Sequence, residues 1–296
     1  MAQPIRIVNR RTGRVEEEPI CGEWLLRLAY GTILGRCFQA SIGSAPLFSR
    51  LAGWYANRRR SARAILPFIR RHGIPAGESL VPVDQFATFN EFFFRQLKPD
   101  ARPIDGDRDS VVAPADGRYF ALERLNRRDR LPVKGRRLLL QQLLNSGALA
   151  RKFSSGSALI CRLSPLDYHR FHFPCDGVPS AARSLAGRLH SVHPLALRHR
   201  FSLSQNHRHL TRMVTGCGEV AMVEVGATCV GTIGQTFTPH RHSKKGMEKG
   251  FFSFGGSAVI LLFEADAVTL DEDLLRHSAD GLETLVRMGE RVARRR

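Results

Sequence analysis

Residues 249–264 read KGFFSFGGSAVILLFE. Two glycines, Gly255 and Gly256, make a bend. Ser257 follows at once, and six apolar residues run on from it without a charge. An apolar run of this length behind a glycine bend reads as a fully buried strand. A serine at the head of such a strand is unusual for a hydrolase, because no Gly-x-Ser-x-Gly elbow surrounds it. The carbonyl nearest to the Ser257 hydroxyl is that of Gly256 itself.

The same texture extends outward from this strand. Val111–Pro114, Ala158–Leu163, Val220–Val225 and Thr228–Ile233 are short apolar or β-branched runs between Gly, Pro, Asn and Asp, and with Ala258–Phe263 they predict a β-rich body. Thr88–Glu91 matches a capping box, so a short helix starts there, with Lys98-Pro99 as its stop. Residues 138–151 are expected to form one helix, and 270–296 a basic C-terminal helix. From Glu23 to Arg71 the apolar residues recur at helical steps (Trp24, Leu25, Leu28, Ile33, Phe38, Ile42), punctuated by Pro46 and Pro67. Residues 1–19 read as a polar tail or a short hairpin. The expected fold class is α+β: N-terminal amphipathic helices on a β-rich catalytic body, with a C-terminal helix. The expected division is an N-terminal helical region, 1–84, and a catalytic domain, 85–296.

Composition narrows the partners. The 296 residues are 43% hydrophobic and 24% charged, which excludes a wholly disordered chain and a polytopic membrane protein. Lys and Arg number 45 against 27 acidic residues, a formal charge of +18, and only six of the 45 are Lys. Such a chain favours an anionic partner: nucleic acid, an anionic bilayer or a phosphorylated substrate. Between Arg50 and Arg71 seven arginines surround Trp54 and Tyr55, the composition of an interfacial helix. The apolar stretch Trp24–Gly35, broken by Arg27, is too short for the ~20 residues of a bilayer span. The six cysteines (21, 37, 161, 175, 217, 229) contain no CxxC spacing, so neither a zinc ribbon nor a disulfide scaffold is indicated. The His-x-His pairs at 207/209 and 240/242 lack a completing carboxylate or Cys, so no metal site is expected. Gly226, Gly231 and Gly234 lack a following helix and make no phosphate loop.

Three islands hold the candidate chemistry: Asp116 in VVAPADGR, Asp167, His169, Arg170 and His172 in LSPLDYHRFHFP, and Ser257. A neutral serine hydroxyl needs a base, a His can supply it, and a carboxylate can fix the imidazole tautomer. Asp116, His172 and Ser257 meet that inventory. His169 and His172 are three apart, which on an extended segment sends them to opposite sides.

The segments FNEFFFRQLKPDARPI, APADG, SPLDYHRFHFPCDG, VEVGATCVGTI, KGMEKGFFSFGGS and ETLVRMGERVA occur in this order over about residues 85–292. In this the chain resembles the phosphatidylserine decarboxylases, self-cleaving pyruvoyl enzymes. The resemblance implies cleavage between Gly256 and Ser257, giving a β chain (1–256) and an α chain (257–296). Asp116, His172 and Ser257 would form the self-cleavage triad, with His172 oriented by Asp116. Ser257 would become the pyruvoyl cofactor, and His169 would serve decarboxylation. Phosphatidylserine would react with the pyruvoyl ketone through a Schiff base and leave as phosphatidylethanolamine. The implied partners are phosphatidylserine and an anionic membrane surface, with a homodimer left open and no nucleic acid, and the implied location is peripheral on a bacterial cytoplasmic membrane. Two alternatives stay open: a pyruvoyl decarboxylase of another serine phospholipid or a soluble amino acid, and an inactive basic binding protein. Two positions depart from the family. Ala258 replaces the usual Thr, removing a hydroxyl that could hold the site, and His207 stands where relatives often carry Glu.

Overall fold

In the computed structural model the described residues are 5–19, 53–125, 130–133, 136–190, 203–227 and 232–296. The helices expected between residues 24 and 52, and the start of the strand expected at 228, lie outside them.

The strands in chain order are β1 (Arg6–Asn9), β2 (Arg14–Glu17), β3 (Ser110–Val112), β4 (Gly117–Leu122), β5 (Arg130–Val133), β6 (Arg136–Leu139), β7 (Ser157–Leu163), β8 (Arg170–His172) and β9 (Gly177–Pro179). They continue as β10 (Arg183–Leu185), β11 (Arg208–Thr215), β12 (Gly218–Gly226), β13 (Ile233–Gln235), β14 (Glu248–Phe252), β15 (Ser257–Phe263), β16 (Val268–Leu270), β17 (Glu283–Val286) and β18 (Arg291–Arg295). One large sheet runs β10-β11-β12-β15-β7-β4-β17-β1-β2, with β9 also on β11. Its pairs are antiparallel apart from parallel β1–β17. A small sheet, β13-β14-β8, and another, β16-β18-β3, accompany it, as does the pair β5-β6.

The strand read first is the centre of this arrangement. β15 pairs with β12 on one side and β7 on the other, and every residue of β7 and β15 is buried. Strands covered on both faces read as continuous apolar runs, which is why this one lacked alternation. Its two faces meet different cores. Val259 and Leu261 join Phe171 and Phe252 of the small sheet, and Ala258, Ile260 and Leu262 join Leu140, Leu143 and Phe153 on the other side. The fold is α+β, as expected.

Three elements differ from expectation. Residues 138–151 are two helices, Leu140–Leu144 and Gly147–Lys152. Asn145 turns left-handed (φ 47°), and Ser146 caps the second helix by accepting the Leu149 N–H at 3.3 Å. The expected helix 270–296 is confined to Glu272–Ala279, and β17 and β18 follow it. There Glu283 is drawn into the sheet by an ion pair with Arg162, a long-range partner that a local pattern cannot show. The Thr88 helix starts as read, with Thr88 Oγ1 accepting from Glu91 N at 3.1 Å, but it ends at Phe93, well before Pro99. The first residues form the hairpin β1–β2, joined to the large sheet.

Candidate active site

Ser257 opens β15 opposite Gly226 of β12 and Leu163 of β7. It is wholly buried, and its Oγ has no hydrogen-bond partner. The loop before it is tied from outside. Phe254 donates its N–H to Asn90 Oδ1 at 2.9 Å, and its ring lies against Phe89 and Phe93 at 5.4 and 5.2 Å. Gly255 sits at φ 139°, a left-handed-side conformation open to glycine.

The same helix, Phe89–Phe93, positions the first histidine. His169 stacks on Phe93 with ring centroids 3.9 Å apart. Its Nε2–H donates to the Ser164 carbonyl at 3.0 Å, which leaves Nδ1 as a bare acceptor, buried and unpartnered. Burial drops this imidazole's pKa to about 3, with Arg95 and Arg118 adding to the fall and the Ser164 carbonyl opposing it. His169 is therefore neutral at pH 7.

His172, at the end of β8, faces other partners. Nδ1–H donates to the Gly246 carbonyl at 3.0 Å, and Nε2 accepts from the Tyr168 hydroxyl at 3.3 Å. Gly246 takes φ +77°, and a Cβ there would meet Ile104 Cδ1 at 2.8 Å, so glycine lets this carbonyl reach the ring. Burial lowers the His172 pKa, partly offset by the Gly246 acceptor and by the charges of Glu248 and Asp116. A neutral ring with the Nδ1–H fixed leaves Nε2 as the basic atom.

Asp116 lies in the turn before β4. Its carboxylate accepts Arg102 Nε at 2.9 and 3.0 Å, Arg102 Nη2 at 2.6 Å and the Met288 N–H at 2.8 Å. Arg102 also pairs with Glu78 at 2.9 Å. The acceptor at His172 Nδ1, expected to be Asp116, is the Gly246 carbonyl. Asp116 supports His172 through its turn, where the Pro114 carbonyl accepts the His172 N–H at 2.8 Å. Asp167 accepts from Arg118 and from the Ser164 N–H, and burial pushes its carboxyl up to about 6 against the pull of Arg118.

The structure thus brings Ser257, His169, His172 and Asp116 into one buried region, without a hydrogen-bonded Asp–His–Ser chain. Arg102, Asn90, Phe93, Tyr168 and Gly246 complete it. Their only sequence signal was membership in the quoted segments, because their roles depend on long-range contacts. Among the described residues no three His, Cys, Asp or Glu side chains are grouped to hold a metal.

A buried serine after a glycine pair, at the head of a central strand, differs from an open hydrolase cleft. The sequence model of the phosphatidylserine decarboxylase family matches residues 89–294. The chain is 43% identical over 296 residues to the phosphatidylserine decarboxylase proenzyme of Chlamydia trachomatis serovar D, covering 99% of this chain and 98% of the relative. It is 42% identical over 294 residues to the protein of that name from Chlamydia pneumoniae, and 39% over 292 to that from Chlamydia felis, at 98% or more of each chain. The chain belongs to the phosphatidylserine decarboxylase family.

Proposed function

We propose that the chain cuts itself between Gly256 and Ser257, and that the product decarboxylates phosphatidylserine to phosphatidylethanolamine on an anionic membrane surface. The observation that carries this reading is the Ser257 hydroxyl, wholly buried, unpartnered and directly after Gly256. Water is excluded there, so attack by Oγ on the Gly256 carbonyl competes with little hydrolysis. His172, its Nδ1–H held by Gly246, exchanges the Tyr168 hydroxyl at Nε2 for that of Ser257 and takes its proton. Asp116 and Arg102 keep the turn under His172 in place.

Ser257 Oγ and His169 Nδ1 are both buried and without a hydrogen-bond partner, a dry setting that suits a small ketone at 257. A pyruvoyl group at 257 supplies a carbonyl that takes up the substrate amine and withdraws the electron pair left by departing CO2. His169, neutral and stacked, can accept or return a proton at Nδ1.

The docking surface lies on residues 53–72. Ile65, Ile69 and Phe68 pack inward on Phe89, Phe92 and Phe93. Trp54, Tyr55 and Leu66 are exposed, with the Arg58 guanidinium 3.7 Å over the Trp54 ring. Arg59, Arg60, Arg63, Arg70 and Arg71 are exposed around them. This face favours a lipid substrate over a soluble amino acid. Among the described residues no helix is long and apolar enough to cross a membrane.

Intact-mass measurement of the purified protein tests the cut. A fragment of 40 residues, about 4.5 kDa of the 33.1 kDa chain, should appear with a ketone in place of its N-terminal amine. Ser257→Ala and His172→Ala should stay whole, while His169→Ala should cut but turn over poorly. A wild-type chain that remains whole after long incubation, or a His172→Ala chain that cuts at the normal rate, would sink the reading.

A further inference from the structure

Glu224, Lys249, Gln235 and His209 form a polar cluster, its first two members wholly buried and its last two half-buried, that the scheme above leaves without a task. Glu224 and Lys249 are both wholly buried, with Nζ 3.0 Å from Oε1. Lys249 Nζ donates to Gln235 Oε1 at 2.6 Å. Gln235 Nε2 donates to Glu224 Oε2 at 3.2 Å and lies 3.2 Å from His209 Nδ1. The His207 ring stands 5.4 Å from that of His209, and the ammonium lies over Phe237 at 4.8 Å and Phe171 at 5.5 Å. Well-packed apolar residues usually serve stability as well as such a pair does, so stability alone does not account for it.

Its place in the sheets does. Glu224 is the register partner of His209 on one side and of Val259 on the other, and Ser257 is the partner of Gly226. With side chains alternating at a period of two, His209, Glu224 and Ser257 share one face of the large sheet. Glu224 and Ser257 are diagonal neighbours on adjacent strands, within reach of a long side chain, and Gly226 places no side chain beside them. The small sheet covers this face, and it brings Lys249 on β14 and Gln235 on β13.

We propose that the Glu224–Lys249 pair holds a transferable proton beside residue 257 and gives it to the carbonyl oxygen formed there, with Gln235 and His209 as positioning residues. The proposal rests on the reading that residue 257 becomes a ketone. An amine nitrogen bonds to the carbonyl carbon, the C=O π pair moves onto oxygen, and oxygen takes the pair's proton. The surplus proton on nitrogen returns to the pair, so no oxidant or reductant is needed. Burial disfavours both charges, raising Glu224 and lowering Lys249, which brings the charged and neutral forms of the pair closer in energy.

The test uses wild type, Glu224→Gln, Lys249→Met and the double variant Glu224→Met/Lys249→Met. Intact mass reports cleavage, and methoxyamine adds a fixed mass to the 40-residue fragment wherever its ketone is present. All four proteins should cut. Labelling should slow by at least about tenfold in the three variants, a modest share of what a placed general acid gives. In the double variant its pH profile between 5 and 8 should match that of a free pyruvoyl amide, with His207 and His209 still in place. A purely structural pair would shift melting temperature and yield but leave the labelling rate and profile unchanged, and that result overturns the proposal. So does a double variant with wild-type melting that fails to cut, since the pair would then serve the serine. If wild-type protein carries no ketone, the reading of the function falls first and the proposal with it, a pattern distinct from a labelled wild type with equally labelled variants.

Discussion

Ala258 shows how a single side chain is judged by its face. The family's usual threonine at this position suggested a lost hydroxyl beside the nucleophile. Strand alternation instead turns residue 258 away from Ser257, into a cluster with Ile260, Leu262 and Phe120. Ala258→Thr should therefore not speed cleavage, and its buried hydroxyl should lower stability by roughly 1–3 kcal/mol. Faster cutting, followed by intact mass, would show that the hydroxyl does reach the site. His169 gives a pH prediction. Its pKa is about 3 when folded, below the ordinary 6.5, and His190 and His209 are lowered to about 4, in each case chiefly by burial. The unfolded chain then binds more protons below pH 6.5, so stability is lost as pH falls through that range. Asp167, raised to about 6, and Glu224, also raised by burial, act oppositely as pH falls, while His172, lowered by burial, adds to the three imidazoles that dominate. The melting temperature should drop from pH 7 to pH 5, and less so in His169→Gln. An equal drop in both proteins would count against the buried-neutral assignment.

At the scale of elements, the helix Phe89–Phe93 joins surface to site. One side receives Ile65, Ile69 and Phe68 of the basic segment, and another carries Asn90 and Phe93 to Phe254 and His169. The arginines of residues 53–72 are exposed to solvent while Ser257 and His169 are wholly buried, so binding and chemistry should separate. Each arginine near an anionic surface contributes ~1 kcal/mol. Replacing Arg58, Arg59, Arg60 and Arg63 by Gln should weaken binding to anionic vesicles by up to several hundredfold at low salt. Activity on a short-chain, water-soluble substrate should stay nearly unchanged. Equal loss on both substrates would mean that these arginines support the fold.

For the whole molecule, the proposed cut falls at the edge of a central strand. Residues 257–296 contribute β15 between β12 and β7, β17 between β4 and β1, and β18 beside β3. The two fragments should co-purify through gel filtration and part only in denaturant. Separation in native buffer would contradict this sheet order. A buried ion network also ties the first residues to the body. Glu18 pairs with Arg118 at 2.8 Å and with Arg162 at 2.7 Å, and Arg162 pairs with Glu283 at 2.6 Å. The amino-acid sequence by itself determined the apolar strands, the Thr88 cap and the basic face, and it offered Ser257, His169, His172 and Asp116 as candidates through the segments they lie in. Those features depend on residue type and near neighbours, which a chain displays directly. Only the tertiary structure decided that residues 283–286 and 291–295 are strands, that Gly246 rather than Asp116 holds His172, and that Asp116 belongs to Arg102. Each of these rests on a partner at least 14 positions away, from Arg102–Asp116 to Ile7–Glu283 at 276, and a distant partner leaves no periodic trace in the segment it stabilises.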